Sequence, residues 1–193
     1  KYIKAGKAKD ANGNKLNEHT QSGMAVIDYK TGNVVAIAGG LGDKQGAGWN
    51  RATQMKKQTG SSIKMIADVA PALEEKVITP ATVYLDEKTD FGGNYTPKND
   101  GNKYKNSTMN IREFIALSRN IPALKIMKEL TPKKSLEYLK KMGFSSLDSN
   151  DEVLALAIGG MTHGASPLEM AAAYGAIAND GVYITPTFYT QVV

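Results

Sequence analysis

The order of the secondary-structure patterns constrains the fold most: one short hairpin comes first, and a run of helices follows. Two β-rich segments, Met24–Tyr29 and Val34–Ala38, flank a turn that contains glycine, which is typical of a hairpin. Strands followed by helices predict an α+β protein. Because a single hairpin is only marginally stable, further strands should join it. Nothing between the hairpin and residue 182 supplies a convincing one, whereas residues 182–193 could begin one.

Signals for helix starts and ends divide the rest of the chain. A helix is predicted from Ser61 to about Leu73, and Pro71 should kink or end it. Residues 76–107 are rich in turn residues and predict irregular connections. A second helix is predicted to begin at Asn110, where Glu113 completes a capping box, and a third begins near Pro122 after an interruption at Ser118–Asn120. A fourth is predicted from Thr131-Pro132 to Gly143. The last begins at Ser166 and ends near Asn179.

Composition narrows the chemistry that the chain can perform. None of the 193 residues is a cysteine, which excludes disulfides, thiolate metal sites and thiol catalysis. With His19 and His163 as the only histidines, a histidine-rich metal site or a serine–histidine pair is poorly supplied. The net charge of +5 comes mostly from lysine, which favours a solvated basic surface over a nucleic-acid interface. We therefore expect no metal, no cofactor and no nucleic-acid partner.

The first candidate site is the sequence Ser61-Ser62-Ile63-Lys64. Residues three apart on a helix share a face, so the Lys64 amine can reach the Ser61 hydroxyl. Serine is a weak nucleophile until a base takes its proton, and lysine can be that base when its pKa is lowered. Free N–H groups at the helix start would also favour a developing negative charge. Taken alone, however, the tetrapeptide is better explained as a helix cap followed by an exposed lysine.

The second candidate is Ser118-Arg119-Asn120, which contains the chain's one Ser-x-Asn sequence. It lies at a predicted break between two helices, where side chains are free to point into a cleft. Serine and asparagine are also common at caps, so a purely structural cap-and-turn role explains this tripeptide equally well.

Together with their flanking blocks, the two motifs resemble the transpeptidase domain of a class A (bifunctional) penicillin-binding protein, in the penicillin-binding and serine β-lactamase-like superfamily. The resemblance covers roughly residues 22–190 and implies an antiparallel sheet packed with helices plus an all-helical subdomain. The blocks that match in family order are Trp49-Asn-Arg-Ala-Thr53, Gly60-Ser-Ser-Ile-Lys64, Tyr95-x-Pro97-x-Asn99, Ser118-Arg-Asn-Ile-Pro122, Gly159-Gly160, Ser166-Pro-Leu-Glu-Met-Ala-Ala-Ala-Tyr174 and Ala178-Asn-Asp-Gly181.

The resemblance implies a D,D-transpeptidase, or its carboxypeptidase variant, that acts on peptidoglycan stem peptides ending in D-Ala-D-Ala and is inhibited by β-lactams. Ser61 would attack the penultimate D-alanine carbonyl, and Lys64 would accept its proton. Ser118 would relay a proton toward the leaving group. Asn120 would bind the donor's side-chain amide and help to hold Lys64, and the Ser61 N–H would form half of an oxyanion hole.

One departure concerns the family's third motif, Lys-Thr/Ser-Gly on a later strand. Lys30-Thr31-Gly32 has the right composition, but it precedes Ser61 and lies at the hairpin turn. We expect the true motif beyond residue 193, on a C-terminal segment of the same domain. Residues 1–21 would then be an extension or linker, and residues 22–193 the N-terminal portion of the transpeptidase domain. We expect an anchor outside this sequence to hold it at the outer face of the bacterial cytoplasmic membrane.

Two other functions remain open on the same fold. A β-lactamase would need a base that activates water, and Glu113 and Glu169 look like helix-start residues instead. A non-enzymatic β-lactam sensor or scaffold of the wall machinery would keep the pocket without the turnover. The rate of deacylation separates the transpeptidase from the β-lactamase, and turnover of stem peptide separates it from the sensor.

Overall fold

Two small antiparallel sheets and a group of packed helices make up the part of the chain that the computed structural model describes, residues 21–42 and 48–189 with Gly13 and Gln191. The α+β class is confirmed. The elements are β1 (Met24–Ile27), β2 (Val34–Ala38), α1 (Ala70–Glu74), β3 (Val83–Leu85), β4 (Thr108–Asn110), α2 (Ile111–Leu117), α3 (Asn120–Leu130), α4 (Pro132–Lys141) and α5 (Pro167–Ala178), with short 3-10 and π segments between them. Within the described ranges, no helix has the length and apolar character needed to cross a bilayer. The predicted extension, residues 1–21, lies almost wholly outside them.

The predicted hairpin is present. β1 and β2 pair antiparallel, with Met24 opposite Ala38, and α5 packs against β1. After α5 the chain returns to this hairpin, where the Thr187 N–H donates to the Gly32 carbonyl (3.0 Å) and the Thr187 carbonyl accepts from Val34 (2.8 Å). The sequence suggested that a strand could begin in residues 182–193; in the described part of this segment, Thr187 forms one isolated parallel bridge with Asn33, beside β2, and no strand.

The helix that starts at Ser61 in the prediction is here a composite helix, residues 60–74. A 3-10 turn (Gly60–Ile63) widens into a π-helix (Lys64–Val69), which continues as α1. Pro71 was predicted to kink or end the helix, and it does not end it: the helix changes from π to α geometry at Ala70, just before Pro71, and continues to Glu74. Proline has no N–H to donate one turn back. The Ser135 hydroxyl from α4 donates to the Ala67 carbonyl in its place.

The prediction of irregular structure over residues 76–107 is wrong in one part. β3 pairs antiparallel with β4, and Tyr84 lies opposite Met109, so a second sheet precedes α2. Strands of three residues are too short to show a periodic pattern, and nearby turn residues mask them. The pairing continues past β3, where the backbone of the fully buried Asp86 donates to the Ser107 carbonyl (3.2 Å) and accepts from the Asn106 N–H (2.8 Å).

α2, α4 and α5 begin where the cap signals predict, whereas α3 begins at Asn120, two residues before Pro122. The Ser166 and Glu169 side chains form a full capping box at the start of α5. At α2 only half of the predicted box forms: the Asn110 side chain accepts from the Glu113 N–H (2.9 Å), but the Glu113 carboxylate pairs with Lys105 (2.6 Å).

The composite helix lies at the centre of the core. It packs against α3, α4 and the 3-10 helix Leu154–Ile158. Its own buried residues Ile63 and Ile66 belong to one hydrophobic core with Leu124, Leu139 and Leu156 of the neighbouring elements. Because interiors pack at crystal-like density, this helix is a rigid platform for the polar residues at its first turns.

Candidate active site

A polar cleft of about 550 Å³ opens beside the first turn of the composite helix. Ser61, Ser118 and Asn120 line it, and the loop of residues 98–101 forms another wall. Ser61 is exposed, whereas Lys64, one turn further on, is only 4% exposed. A larger cleft of about 680 Å³, between α1, α4 and the end of α5, contains none of the predicted site residues.

Lys64 joins the two motifs. Its Nζ donates to the Ser118 carbonyl (2.6 Å) and the Asn120 Oδ1 (2.7 Å), and it lies 3.3 Å from the Ser118 Oγ. Ser118 has a left-handed backbone (φ 51°) at the break between α2 and α3, so its carbonyl and its hydroxyl both contact one amine. Three acceptors match the three N–H groups of a lysine ammonium.

Burial lowers the pKa of Lys64 from 10.5 to about 8, and the weaker effect of a negative charge at Asp68 opposes this change. Asp68 itself is fully buried, and neither carboxylate oxygen has a hydrogen-bond partner among the described residues. Burial therefore raises the pKa of Asp68 well above its ordinary value, which favours the neutral acid. With a pKa near 8, part of the Lys64 population is neutral close to physiological pH, and the neutral amine can accept a proton as a general base.

Residues 57–62, the segment that contains Ser61, are held in place by contacts to their backbone. Lys57 and Ala165 exchange two backbone hydrogen bonds (3.0 and 2.8 Å). The Tyr174 hydroxyl of α5 donates to the Ser62 carbonyl (2.7 Å). Gly159 lies so close that a Cβ there would come within 2.4 Å of the Gly60 nitrogen. The sequence blocks pointed to Gly159 and Tyr174 without indicating this supporting role.

We expect Gly159→Ala to misplace Ser61. The new methyl group would clash with the Gly60 backbone, and Gly60 cannot shift without moving the start of the composite helix. Gly159 also has φ +92°, a backbone conformation that is strained for alanine. Since a displacement of about 1 Å can cost about 100-fold in rate, the rate of covalent reaction of Ser61 with an electrophilic probe should fall at least about tenfold. Gly92→Ala is the matched control, because Gly92 has φ +98° but nothing within 4 Å of a Cβ. Equal reaction rates of Ser61 in the two variants would contradict this packing role. The free energy of unfolding in denaturant, measured for both variants, separates a general loss of stability from a displacement of Ser61.

Other sequence predictions fall outside this cleft. The Lys30-Thr31-Gly32 turn lies at the hairpin, where the Lys30 Nζ is 3.3 Å from the Asn179 Oδ1. His163 is exposed and 3.7 Å from an Asp148 oxygen, and His19 lies outside the described residues. In the described part of the chain, no three His, Cys, Asp or Glu side chains lie close enough together to hold a metal ion.

Comparisons with known proteins cover nearly all of the chain. The family model for the penicillin binding protein transpeptidase domain matches residues 23–193. Penicillin-binding protein 1F of Bacillus subtilis is 35% identical over 176 residues, covering 91% of this chain and 24% of that protein. Penicillin-binding protein 1A of Clostridium tetani is 35% identical over 187 residues, covering 90% and 24%. The chain thus spans about a quarter of the length of these relatives.

Solved structures show the same fold. Penicillin-binding protein 1A from Haemophilus influenzae superimposes with a TM-score of 0.77 at 31% identity, covering 93% of this chain and 27% of that one. The PonA1 protein from Mycobacterium tuberculosis, solved in complex with penicillin V, gives a TM-score of 0.73 at 24% identity, covering 87% and 47%. The second likeness supports the fold alone.

Proposed function

This chain belongs to the transpeptidase domain family of penicillin-binding proteins, and from that premise we propose that it catalyses D,D-transpeptidation through an acyl-enzyme on Ser61. One observation carries the proposal: the buried Lys64 amine donates hydrogen bonds to both Ser118 and Asn120, beside the cleft in which Ser61 is exposed at the first turn of the composite helix. The proposed donor is a peptidoglycan stem peptide ending in D-Ala-D-Ala.

In the proposed first step, the Ser61 oxygen attacks the carbonyl carbon of the penultimate D-alanine, and the Ser61 proton passes to the Lys64 nitrogen. The Ser61 N–H, in the first helical turn, donates to the oxygen that becomes negative. The C–N bond to the terminal D-alanine then breaks. Ser118, which contacts Lys64, relays the proton to the leaving amine.

In the second step, the amine of another stem peptide attacks the Ser61 ester, which forms the cross-link and frees the serine. Attack by water instead gives the carboxypeptidase reaction. A β-lactam enters the first step as a donor, but its leaving nitrogen stays attached to the ring-opened product. The ester on Ser61 therefore persists, which is the basis of the proposed inhibition.

The proposed site includes a segment outside this chain. We propose that a Lys-Thr/Ser-Gly strand from the same domain supplies a second cation, a contact for the substrate carboxylate and the second oxyanion N–H. The pairing that Thr187 begins beside β2 supports the idea that more strands join this sheet. The proposed substrate places the domain at the outer face of the cytoplasmic membrane, where another part of the protein would anchor it.

The contacts of the two candidate glutamates argue against a β-lactamase. The Glu113 carboxylate pairs with Lys105. Burial alone would raise the pKa of Glu169, but hydrogen bonds from Lys56, Ser166 and Ser145 outweigh it and lower that pKa to about 2. A carboxylate of such low basicity is a poor base toward water near neutral pH.

The test is to incubate the full-length protein with a fluorescent penicillin and to follow the adduct by mass spectrometry. We expect one adduct per chain, on the peptide that contains Ser61, and slow release. Fast release would indicate a β-lactamase. Stem-peptide donor and acceptor amine are then supplied together, and cross-linked product with free D-alanine is expected. A stable penicillin adduct without peptide turnover would instead support the sensor.

A further inference from the structure

None of the proposed catalytic steps uses the sequence block Tyr95-x-Pro97-x-Asn99. Asn99 is only 3% exposed, although it borders the cleft. Its Oδ1 accepts from the backbone N–H groups of Asn120 (2.8 Å) and Ile121 (3.2 Å). Those two groups begin α3 and have no partner within the helix, so Asn99 satisfies them from another part of the chain.

The other end of the Asn99 amide is fixed by Asp86. The Asn99 Nδ2 donates to the Asp86 Oδ1 (2.6 Å) and to the Lys103 carbonyl (3.1 Å). Asp86 is fully buried, and its Oδ2 accepts from the Lys105 N–H (2.9 Å) and lies 3.7 Å from the Arg119 Nε. The Asp86 carboxylate can only accept hydrogen bonds, so the Asn99 NH₂ group must face Asp86. The Asn99 amide oxygen therefore faces α3.

The Asn120 side chain is oriented by the same loop. Its Nδ2 donates one hydrogen to the Lys98 carbonyl (2.8 Å), and its Oδ1 accepts from Lys64 (2.7 Å). One N–H of the amide is left for a ligand in the cleft, where Asn120 is partly exposed. The chain Asp86, Asn99, Asn120 and Lys64 thus runs from a buried carboxylate to the proposed base.

We infer that Asn99 and Asp86 are positioning residues that act through Asn120. They fix the Asn120 backbone against the loop whose Lys98 carbonyl binds the Asn120 carboxamide, so that the amide oxygen binds Lys64 and one N–H points into the cleft for the side-chain amide of the acyl donor. The inference rests on the proposed function and extends it. Asn99 and Asp86 touch neither the donor nor the reacting atoms. They determine how strongly the cleft distinguishes a donor with that amide from one without it.

The test compares two penams on the full-length protein: benzylpenicillin, which carries the side-chain amide, and 6-aminopenicillanic acid, which has a free amine there. In Asn99→Ala, we expect the ratio of their acylation rates to fall about tenfold, the size of effect that a lost buried hydrogen bond produces. A general loss of stability or of Lys64 basicity would slow both penams equally and leave the ratio unchanged. An unchanged ratio would therefore overturn the inference. Asn150→Ala, at an exposed asparagine, is the control.

Exchanging the two side chains tests the pair even if Asn99→Ala fails to fold. Asn99→Asp alone places two buried carboxylates together and should lower the ratio about tenfold or prevent folding. Adding Asp86→Asn removes the repulsion and lets residue 99 accept again from α3, so the ratio should recover to within about threefold of the wild type. A double variant no better than Asn99→Asp would contradict the pairing. If the wild type reacts with neither penam, the proposed function itself fails.

Discussion

Ser61→Ala should abolish covalent labelling by a fluorescent penicillin. The Ser61 hydroxyl is exposed in the cleft at the first turn of a helix, and its removal leaves no atom there to form the ester. Ser118 also lines the cleft, and its hydroxyl lies 3.3 Å from the Lys64 amine. The first N–H groups of the helix that follows Ser118, those of Asn120 and Ile121, already donate to the Asn99 side chain. Labelled protein is measured after denaturing electrophoresis, with circular dichroism to confirm the fold.

Ser62→Ala is the matched control for Ser61. Ser62 is the next residue and is also exposed, but its hydroxyl donates to the Thr59 carbonyl (2.6 Å). We expect it to be labelled like the wild type. Undiminished labelling of Ser61→Ala would refute the nucleophile. Loss of labelling in both variants would show that the test reports on the helix start and not on one hydroxyl.

Lys64→Ala and Lys64→Arg should both slow acylation by about 10²–10⁴-fold, the usual contribution of a positioned base. Arginine keeps the positive charge but stays protonated, so it cannot accept the Ser61 proton. The pKa of Lys64 is lowered to about 8, and the neutral amine is the active form. The wild-type rate should therefore fall about tenfold per pH unit below pH 8, and the variants should lose this dependence.

The second-order rate constant for acylation, measured from pH 6 to pH 9, checks this prediction. A wild-type rate in Lys64→Arg would mean that the position needs only a cation, and the base would have to be another group. Lys57→Ala, at an exposed lysine seven residues earlier, should keep both the rate and its pH dependence.

Local chemistry accounts for the parts of the fold that were predicted correctly. Ser166 and Glu169 satisfy N–H groups within three residues of themselves, so the start of α5 could be predicted without knowing its neighbours. The β1–β2 hairpin has the same property, because turn and strands are adjacent in the chain. The family, too, followed from local blocks, and the match over residues 23–193 confirms it.

The errors occurred where distant residues decide the outcome. Pro71 is compatible with a continuous helix because Ser135, far along the chain, donates to the carbonyl that proline leaves unpaired. β3 forms because it pairs with β4, and β4 lies more than twenty residues later in the chain. Neither contact leaves a periodic signal near the residue that it affects.

The sequence by itself determined that Ser61 lies at the start of a helix, that Lys64 lies one turn on and that a break near Ser118 separates two later helices. These facts depend on backbone preferences over a few residues. Only the tertiary structure decided that Lys64 is buried against Ser118 and Asn120, which lowers its pKa, and that Asp86 and Asn99 orient Asn120. Burial and hydrogen bonding depend on which segments pack together, and that is a property of the whole fold.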